Sequence, residues 1–311
     1  MNVIEFGDCR DTMRRWKEQG IKAQTCVTSP PYYGLRDYGH EGQIGLEETP
    51  EEYIKAMVEV FHCVWDVLED DGTLWLNIGD SYCNSNGFAR ASPEYQREGR
   101  NNMPANDRKL DKLHETGLKT KDLIGIPWML AFALRADGWY LRQDIIWHKP
   151  NPMPESVQDR RTKAHEYIFL MSKSQKYYYD ADAIKEQSTS KSEGIRFGGN
   201  KYGDDDDPKF ATKSGNVSKE YDKANKRSVW TVTTKPYAGA HFAVFPSDLI
   251  EPCILAGAPV GGIVLDPFMG SGTTAQVAQN LGRQYIGCEL NPDYCQLQNI
   301  RTAQQSFGFE A

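Results

Sequence analysis

Two short segments of the chain carry residue types that could bind a flat ligand and position a reactive group. The first is Thr-Ser-Pro-Pro-Tyr at residues 28–32, which follows a short apolar run. The two prolines fix the backbone and leave carbonyls without a local partner. A carbonyl beside a hydroxyl makes a pair of acceptors, and Tyr32 adds an aromatic face. The group suits the amino group of a planar base, although a proline loop end with packed tyrosines is the alternative.

The second segment is a glycine turn, Asp-Pro-Phe-Met-Gly-Ser-Gly at residues 266–272, between an apolar strand and a helix. Glycines allow a ligand to approach the backbone, and the free N–H groups of a helix start favour electronegative groups. Glu289 ends the next strand, where a carboxylate can hold both hydroxyls of a ribose. The pattern predicts a nucleoside-type ligand, and a purely structural turn is the alternative.

The glycine turn differs from the two common phosphate-binding patterns. It lacks the third glycine of a dinucleotide site, and Thr273 stands where a P-loop needs lysine. Asp266 would repel a phosphate but suits a cationic ligand, such as the amino acid part of S-adenosylmethionine.

The composition excludes several classes of protein. The chain has 311 residues, with 36 Lys and Arg against 43 Asp and Glu and a net charge of −7. This is ordinary globular composition, and it argues against a wholly disordered chain and a general polyanion binder. No apolar run could span a membrane and the N-terminus lacks a signal-peptide pattern, so we expect a cytoplasmic protein. Seven scattered cysteines without a CxxC pair and six scattered histidines indicate reduced thiols and no metal site.

Strands and helices that could carry these segments alternate along the chain. A helix is predicted from Thr49, the expected N-cap, to Gly72, and an apolar strand follows it. This βαβ pattern favours a parallel sheet. Residues 164–180 contain two short strand-like runs and predict a hairpin. Ser247 is the expected N-cap of a later helix.

Two polar segments interrupt this alternation. Residues 83–121 have little periodicity and are too long for an ordinary connector, so they predict a functional loop or a disordered segment. Residues 183–235 are rich in Gly, Lys, Ser and Asn and are more basic than the whole chain.

Taken together, the two motifs resemble the β group of bacterial and phage DNA amino-methyltransferases, which act on cytosine N4 or adenine N6. Ser-Pro-Pro-Tyr resembles their catalytic motif, the turn at 266–272 their S-adenosylmethionine motif, and Glu289 their second acidic motif. Catalytic motif first and cofactor motif last is the order of the β group. The resemblance covers most of residues 1–182 and 236–303.

Three further segments carry the resemblance. Residues 241–252, His-Phe-Ala-Val-Phe-Pro-Ser-Asp-Leu-Ile-Glu-Pro, resemble the segment that lies against the methionine end of the cofactor. Residues 7–13, which include Asp8, resemble another cofactor-contacting segment. Residues 145–151 resemble the strand and loop beside the flipped base.

The resemblance implies an α/β, Rossmann-like methyltransferase fold with a mostly parallel seven-stranded sheet, a terminal β-hairpin and an inserted target recognition region. Residues 1–182 would form the catalytic half, with the polar segment 83–121 as a DNA-contacting loop. Residues 183–235 would form the target recognition region and 236–311 the cofactor-binding half.

The implied activity is sequence-specific methylation of an exocyclic amine on a flipped base of double-stranded DNA, with S-adenosylmethionine as cofactor. Ser29 favours cytosine N4, since adenine enzymes of the family mostly carry Asp or Asn there. Adenine N6 stays open, as do the more distant alternatives of RNA or protein-amide methylation and an inactive DNA-binding module. A homodimer and a cognate restriction nuclease are left open.

The site residues implied by the resemblance form three groups. The catalytic group is Ser29, Pro30, Pro31 and Tyr32. The cofactor group is Asp8, Thr28, Phe245, Ser247, Asp266, Pro267, Phe268, Gly270, Gly272, Thr273 and Glu289. The DNA-contacting group is Tyr33, Arg36, His148, Lys149, Lys213, Lys219 and Lys226.

Overall fold

The computed structural model describes residues 1–35, 39–40, 42–83, 107–188, 223–234 and 245–303. The chain divides into a large unit, Met1–Asp180 with Arg227–Ala311, and a small unit, Ala181–Lys226. The described part of the small unit holds a 3₁₀ turn and a two-stranded antiparallel sheet, β6 (Glu186–Gln187) with β7 (Lys223–Ala224). In the described ranges, no helix is long and apolar enough to cross a membrane.

The large unit is built from strands and helices that alternate over much of its length. Its strands are β1 (Asn2–Phe6), β2 (Ala23–Thr28), β3 (Leu68–Ile78), β4 (Tyr140–His148), β5 (His165–Ser172), β8 (Val229–Thr231), β9 (Ile263–Asp266) and β10 (Gln284–Glu289). Its helices are α1 (Cys9–Glu18), α2 (Pro50–Val67), α3 (Asp107–Glu115), α4 (Ile126–Ala136), α5 (Ser247–Gly257), α6 (Thr273–Asn280) and α7 (Cys295–Ala303).

The strands form one eight-stranded sheet in the order β1-β10-β9-β2-β3-β5-β4-β8. All neighbouring pairs are parallel except those of β5, which is antiparallel to β3 and to β4. Parallel strands place their carboxyl ends at one edge, and ligands of open α/β sheets bind there. The predicted Rossmann-like, mostly parallel fold is confirmed.

Several local predictions need correction. Helix α2 ends at Val67, and Gly72 lies inside β3 because the buried strand starts four residues before that glycine. The hairpin is formed by β4 with β5 rather than within residues 164–180, since β5 is one continuous buried strand. The edge strand β8 adds an eighth member to the sheet.

The polar segment 83–121 also contains structure that its composition does not indicate. Helix α3 lies within it, whereas residues 84–106 fall outside the described ranges. Leu113 of α3 is fully buried in the main core, which explains how a polar helix is held.

The main core lies between the sheet and helices α1, α2 and α4. Met57 and Phe61 of α2 are fully buried with Leu74 and Leu76 of β3. The start of α2 is fixed by a capping box, in which Thr49 Oγ1 accepts from the Glu52 N–H at 3.2 Å and the Glu52 carboxylate accepts from the Thr49 N–H. The predicted N-cap is confirmed.

The Thr49 cap can be tested by substitution. Thr49→Ala removes the acceptor for the Glu52 N–H, so we expect the free energy of unfolding in urea to fall by about 1 kcal/mol. Thr49→Asp keeps an acceptor at the same place and should stay near the wild type. Equal stability of the two variants would contradict the importance of this cap.

Candidate active site

The candidate site lies at the carboxyl edge of the sheet. There β1 leads to Asp8, β10 ends at Glu289, β9 ends at Asp266, and β2 leads to Ser29. Since β1, β10, β9 and β2 are consecutive in the sheet, the two motifs recognised in the sequence are brought side by side.

A buried carboxylate joins the two motifs directly. Asp266 is 1% exposed, and its Oδ1 accepts from Thr28 Oγ1 at 2.6 Å and from the Phe268 N–H at 3.0 Å. Its Oδ2 accepts from Thr274 Oγ1 at 2.6 Å. These bonds tie the end of β2, the end of β9 and the first turn of α6 to one group.

The burial of Asp266 changes its acidity. Loss of hydration raises the pKa of this carboxyl to about 6, although the hydrogen bonds from Thr274 and Thr28 act in the opposite direction. Asp266 therefore titrates near pH 6, and a nearby cation would favour its charged form.

The conformation of the glycine turn depends on the backbone angles of its glycines and on its contacts with α7. Gly270 and Gly272 have φ angles of +52° and +87°, which side-chain-bearing residues rarely adopt. A Cβ on Gly272 would lie 3.3 Å from Gln298 Cα. The Gln298 amide also donates to the Gly270 carbonyl at 2.7 Å. The turn thus needs glycine for its conformation and for the close approach of α7.

Two further carboxylates lie at the carboxyl edge of the sheet. Glu289, 9% exposed, accepts from the Gly270 N–H at 2.7 Å and from the Asn291 N–H at 2.8 Å, and burial raises its pKa. Asp8 caps α1 and forms an ion pair with Arg10, whose hydrogen bond lowers the pKa of Asp8. Both carboxylates lie at ends of neighbouring strands, β10 and β1.

The polar groups of the glycine turn are compatible with the binding of S-adenosylmethionine. Ser271 is 4% exposed, and its hydroxyl has no hydrogen-bond partner among the described residues. A buried hydroxyl normally has a partner, so a polar ligand atom would satisfy it. The carboxylate of Asp266 would place negative charge near a cationic cofactor, and Glu289 would lie beside the same turn.

The Ser-Pro-Pro-Tyr segment, residues 29–32, only partly matches the expectation of two carbonyls without a partner. The Tyr53 hydroxyl donates to the Pro31 carbonyl at 2.8 Å, so this carbonyl is occupied. Within the described residues, no donor reaches the Pro30 carbonyl. Only Pro30 therefore keeps the free acceptor that the sequence predicted for both prolines.

The Tyr32 side chain enters a polar cluster instead of standing free. Its hydroxyl donates to Glu166 Oε2 at 2.8 Å and lies 3.3 Å from Asn77 Oδ1. The other Glu166 oxygen is ion-paired with Lys149. A Cβ on Gly79 would lie 2.6 Å from Tyr32 Cε2, so the ring can occupy its place only beside a glycine.

Sequence reasoning missed Glu166, Asn77 and Gly79 as parts of the site. A weak signal exists for two of them. Asn77 is a lone polar residue in the apolar run Leu-Trp-Leu-Asn-Ile, and Gly79 follows that strand. Glu166 begins a strand at the same edge only because β5 runs antiparallel, which the sequence does not reveal.

Two predicted roles need correction. Tyr33, expected at the DNA, is 0% exposed; its ring packs against Tyr53 in the core and its hydroxyl donates to the Glu48 carbonyl. The Tyr33 ring therefore packs in the core next to the Ser-Pro-Pro-Tyr segment. Ser247 is the first residue of α5, and the N-cap is Pro246, because the chain turns one residue earlier than expected.

The other predicted contacts are located as follows. Phe245 is partly buried just before α5, and His148 lies 3.1 Å from Thr231 Oγ1. Pro267 is buried in the glycine turn, Thr273 is buried at the start of α6, and Phe268 packs against the core. Lys226 belongs to the small unit. Arg36, Lys213 and Lys219 lie outside the described residues. All these roles stay predictions.

The sheet order, the glycine turn and the acidic strand ends define a Rossmann-like methyltransferase that uses S-adenosylmethionine. Residues 23–300 match the N6_N4 DNA methylase family model, and the chain belongs to that family. It is a DNA methyltransferase for an exocyclic amine, cytosine N4 or adenine N6.

Individual proteins are similar over nearly the whole chain. The Type II methyltransferase M.SmaI of Serratia marcescens is 48% identical over 303 residues, 96% of this chain and 89% of its own length. M.Cfr9I of Citrobacter freundii is 48% identical over 288 residues, 93% and 83% of the two chains.

Solved structures share the fold. The cytosine-N4-specific PvuII DNA methyltransferase superposes with a TM-score of 0.61 at 16% identity, covering 96% of this chain and 86% of that one. The M1.HpyAVI–SAM complex gives a TM-score of 0.53 at 16% identity, covering 97% and 100%.

The raised pKa of Asp266 predicts pH-dependent cofactor binding. A cationic ligand favours the carboxylate, and below pH 6 that carboxylate is increasingly protonated. By calorimetry, S-adenosylmethionine should bind roughly tenfold more weakly at pH 5 than at pH 7.5. Asp266→Asn should bind weakly at both pH values, whereas Asp70→Asn, which changes a fully exposed carboxylate near the amino end of β3, should behave as the wild type. Equal affinity of wild type and Asp266→Asn at pH 7.5 would contradict the assignment.

The close approach of α7 predicts a second effect. Gly272→Ala forces a Cβ against Gln298 at a positive φ, so S-adenosylmethionine affinity should fall at least about tenfold. Gly261→Ala is the matched control, since its φ is +81° and its Cβ would meet nothing within 4 Å. Both variants should lose about 1 kcal/mol of stability. Equal cofactor affinity in the two would show that the approach of α7 is unimportant.

Proposed function

We propose that the enzyme methylates N4 of cytosine within a defined sequence of double-stranded DNA. The observation that supports this proposal is that Ser29 has a short hydroxyl and is followed by Pro30, whose carbonyl accepts from no donor among the described residues. Cytosine is the smaller ring, and a short hydroxyl can accept from its amino group, whereas Asp or Asn reaches further.

The chemistry explains why acceptors are needed. The lone pair of an exocyclic amine is delocalised into the ring, so the nitrogen must pyramidalise before it can attack. Acceptors at Ser29 Oγ and the Pro30 carbonyl favour that geometry by stabilising positive charge that develops on nitrogen. S-adenosylmethionine supplies an activated methyl group on its sulfonium, and in-line transfer then needs mainly positioning.

The cofactor side is assigned by the same reasoning. Asp266 supplies negative charge at the end of β9, and Glu289 binds the ribose hydroxyls with the lone pairs its backbone partners leave. The remaining groups proposed to line the cofactor are Asp8, Thr28, Phe245, Ser247, Pro267, Phe268, Gly270, Gly272 and Thr273. None of the seven cysteines is required as a nucleophile.

The target amine is paired inside the duplex, so the base must be flipped out before reaction. The Tyr32 ring, held by Gly79 and by its hydroxyl bonds, offers a fixed surface for stacking. Residues 83–121 and 183–235 form the proposed DNA face, and 183–235 the target recognition region.

The names of the relatives bear on the biological role of the enzyme. The Type II names of the relatives support a role in restriction and modification. A homodimer, a cognate restriction nuclease and a cytoplasmic location stay predictions.

The methylated atom can be identified by mass spectrometry of nucleosides from DNA of an unmethylated host that expresses the enzyme. We expect N4-methylcytosine. N6-methyladenine without N4-methylcytosine would refute cytosine as the target but leave the cofactor site standing, because the transfer chemistry is the same.

The proposed DNA face predicts a salt effect. Replacing Lys213, Lys219 and Lys226 with Gln should weaken binding to all DNA sequences and reduce the salt dependence of log K by about one unit per lysine, since fewer counterions are released. Binding is measured by fluorescence anisotropy at several salt concentrations.

A matched control removes the same charge elsewhere. Lys17, Lys22 and Lys176 are exposed, and the last two flank strand ends at the opposite edge of the sheet. Their triple Gln variant should keep the wild-type salt dependence. Identical slopes for the two triple variants would place the DNA outside the 183–235 segment.

A further inference from the structure

Glu166 receives hydrogen bonds from three side chains among the described residues. Tyr32 and Asn77 donate to its Oε2 at 2.8 and 3.4 Å, and Lys149 is ion-paired with its Oε1. Glu166 and Lys149 are each 17% exposed. The lysine also lies 4.1 Å from the centre of the Trp147 ring, which further restricts its position. The environment of Glu166 thus requires an acceptor.

This requirement fixes the hydroxyl of Tyr32. An ionised carboxylate only accepts, so the Tyr32 proton must point towards Glu166. The alternative acceptor, Asn77 Oδ1 at 3.3 Å, belongs to the same cluster, because the Asn77 amide donates to Glu166 and to the Tyr167 carbonyl. Burial and the charge of Glu166 raise the pKa of Tyr32, so the hydroxyl keeps its proton.

The orientation of the Tyr32 hydroxyl also determines the direction of its hydrogen bond with Ser29. The Tyr32 oxygen, having donated its proton, is left as an acceptor, and Ser29 Oγ donates to it at 3.4 Å. This is the longest link of the chain, and such bonds are often long in free enzymes and shorten with substrate bound. With its proton directed to Tyr32, Ser29 has only lone pairs to offer to a base.

We propose that Glu166 is a positioning residue that, through the Tyr32 hydroxyl, directs the Ser29 proton away from the target base, so that Ser29 can only accept from the exocyclic amine. The inference rests on the proposed acceptor role of Ser29 and adds the group that enforces it. Without Glu166 the Ser29 hydroxyl could rotate and present its own proton to the amine, which would oppose attack.

Glu166→Gln tests the direction of the chain. Lys149 and Tyr32 donate to different oxygens of Glu166, and an amide has an oxygen at only one of these two positions. Its NH₂ group would therefore face one of the two donors and reverse or break that link. The single-turnover rate of methyl transfer to unmethylated genomic DNA should fall roughly tenfold to a hundredfold. The affinities for S-adenosylmethionine and for DNA should change less than about threefold, since Glu166 acts on the transition state.

A matched control makes the same change in another partly buried ion pair. Glu155 pairs with Arg160 at 2.5 Å, with side-chain exposures of 29% and 28%, and it does not contact the Tyr32 cluster. Glu155→Gln should keep the wild-type rate. Circular dichroism checks that both variants are folded.

Tyr32→Phe provides the second arm. It retains the ring and the Glu166–Lys149 pair but removes the hydroxyl, so its rate should fall to about the same extent. If Glu166 acts through that hydroxyl, the double variant should be no slower than the slower single variant. Rate losses that multiply in the double variant would overturn the proposal.

The remaining outcomes are also decisive. A folded Glu166→Gln enzyme with the wild-type rate would overturn the proposal, and so would a Tyr32→Phe enzyme with the wild-type rate, even if Glu166→Gln does not fold. A wild-type enzyme that modifies no exocyclic amine of DNA would instead refute the proposed function itself.

Discussion

The carboxyl edge of the sheet depends on one buried charge. Asp266 accepts from Thr28, Thr274 and the Phe268 N–H, and its bond to Thr28 spans 238 residues of sequence. Because β2 and β9 are parallel neighbours, this carboxylate holds the catalytic loop against the cofactor turn. Two hydroxyls do not fully replace water, so the pKa of Asp266 rises, and a cationic cofactor would lower it again. Cofactor binding and the position of the Ser-Pro-Pro-Tyr segment would then be coupled through Asp266.

A second carboxylate organises the other side of the site in a different way. Glu166 is ion-paired with Lys149 and accepts from Tyr32, and we propose that it thereby sets the direction of the hydrogen bonds of Tyr32 and Ser29. Asp266 can respond to a bound charge, whereas Glu166 fixes the geometry of the loop. The two carboxylates lie on opposite sides of the Ser-Pro-Pro-Tyr segment.

The sequence was sufficient where the information is local. The Ser-Pro-Pro-Tyr segment and the glycine turn lie at the ends of apolar strands, and Glu289 is the last residue of one; parallel strands bring such ends together. The sequence was insufficient where the position of a residue depends on which strands pair with each other. Glu166 reaches the site only because β5 is antiparallel to its neighbours. The adjacent residues Tyr32 and Tyr33 also lie in different surroundings, since Tyr33 is buried in the core while the Tyr32 hydroxyl contacts Glu166. The shift of the N-cap from Ser247 to Pro246 is a one-residue boundary difference, which composition does not determine.

The central claim is that Ser29 assists the transfer by accepting from the amine as it attacks. The most direct measurement is the single-turnover rate of Ser29→Ala with saturating S-adenosylmethionine and DNA, alongside its affinity for each. The account predicts a rate at least about a hundredfold below wild type, with both affinities changed less than about threefold. A wild-type rate, or a loss explained entirely by weaker cofactor or DNA binding, would contradict it.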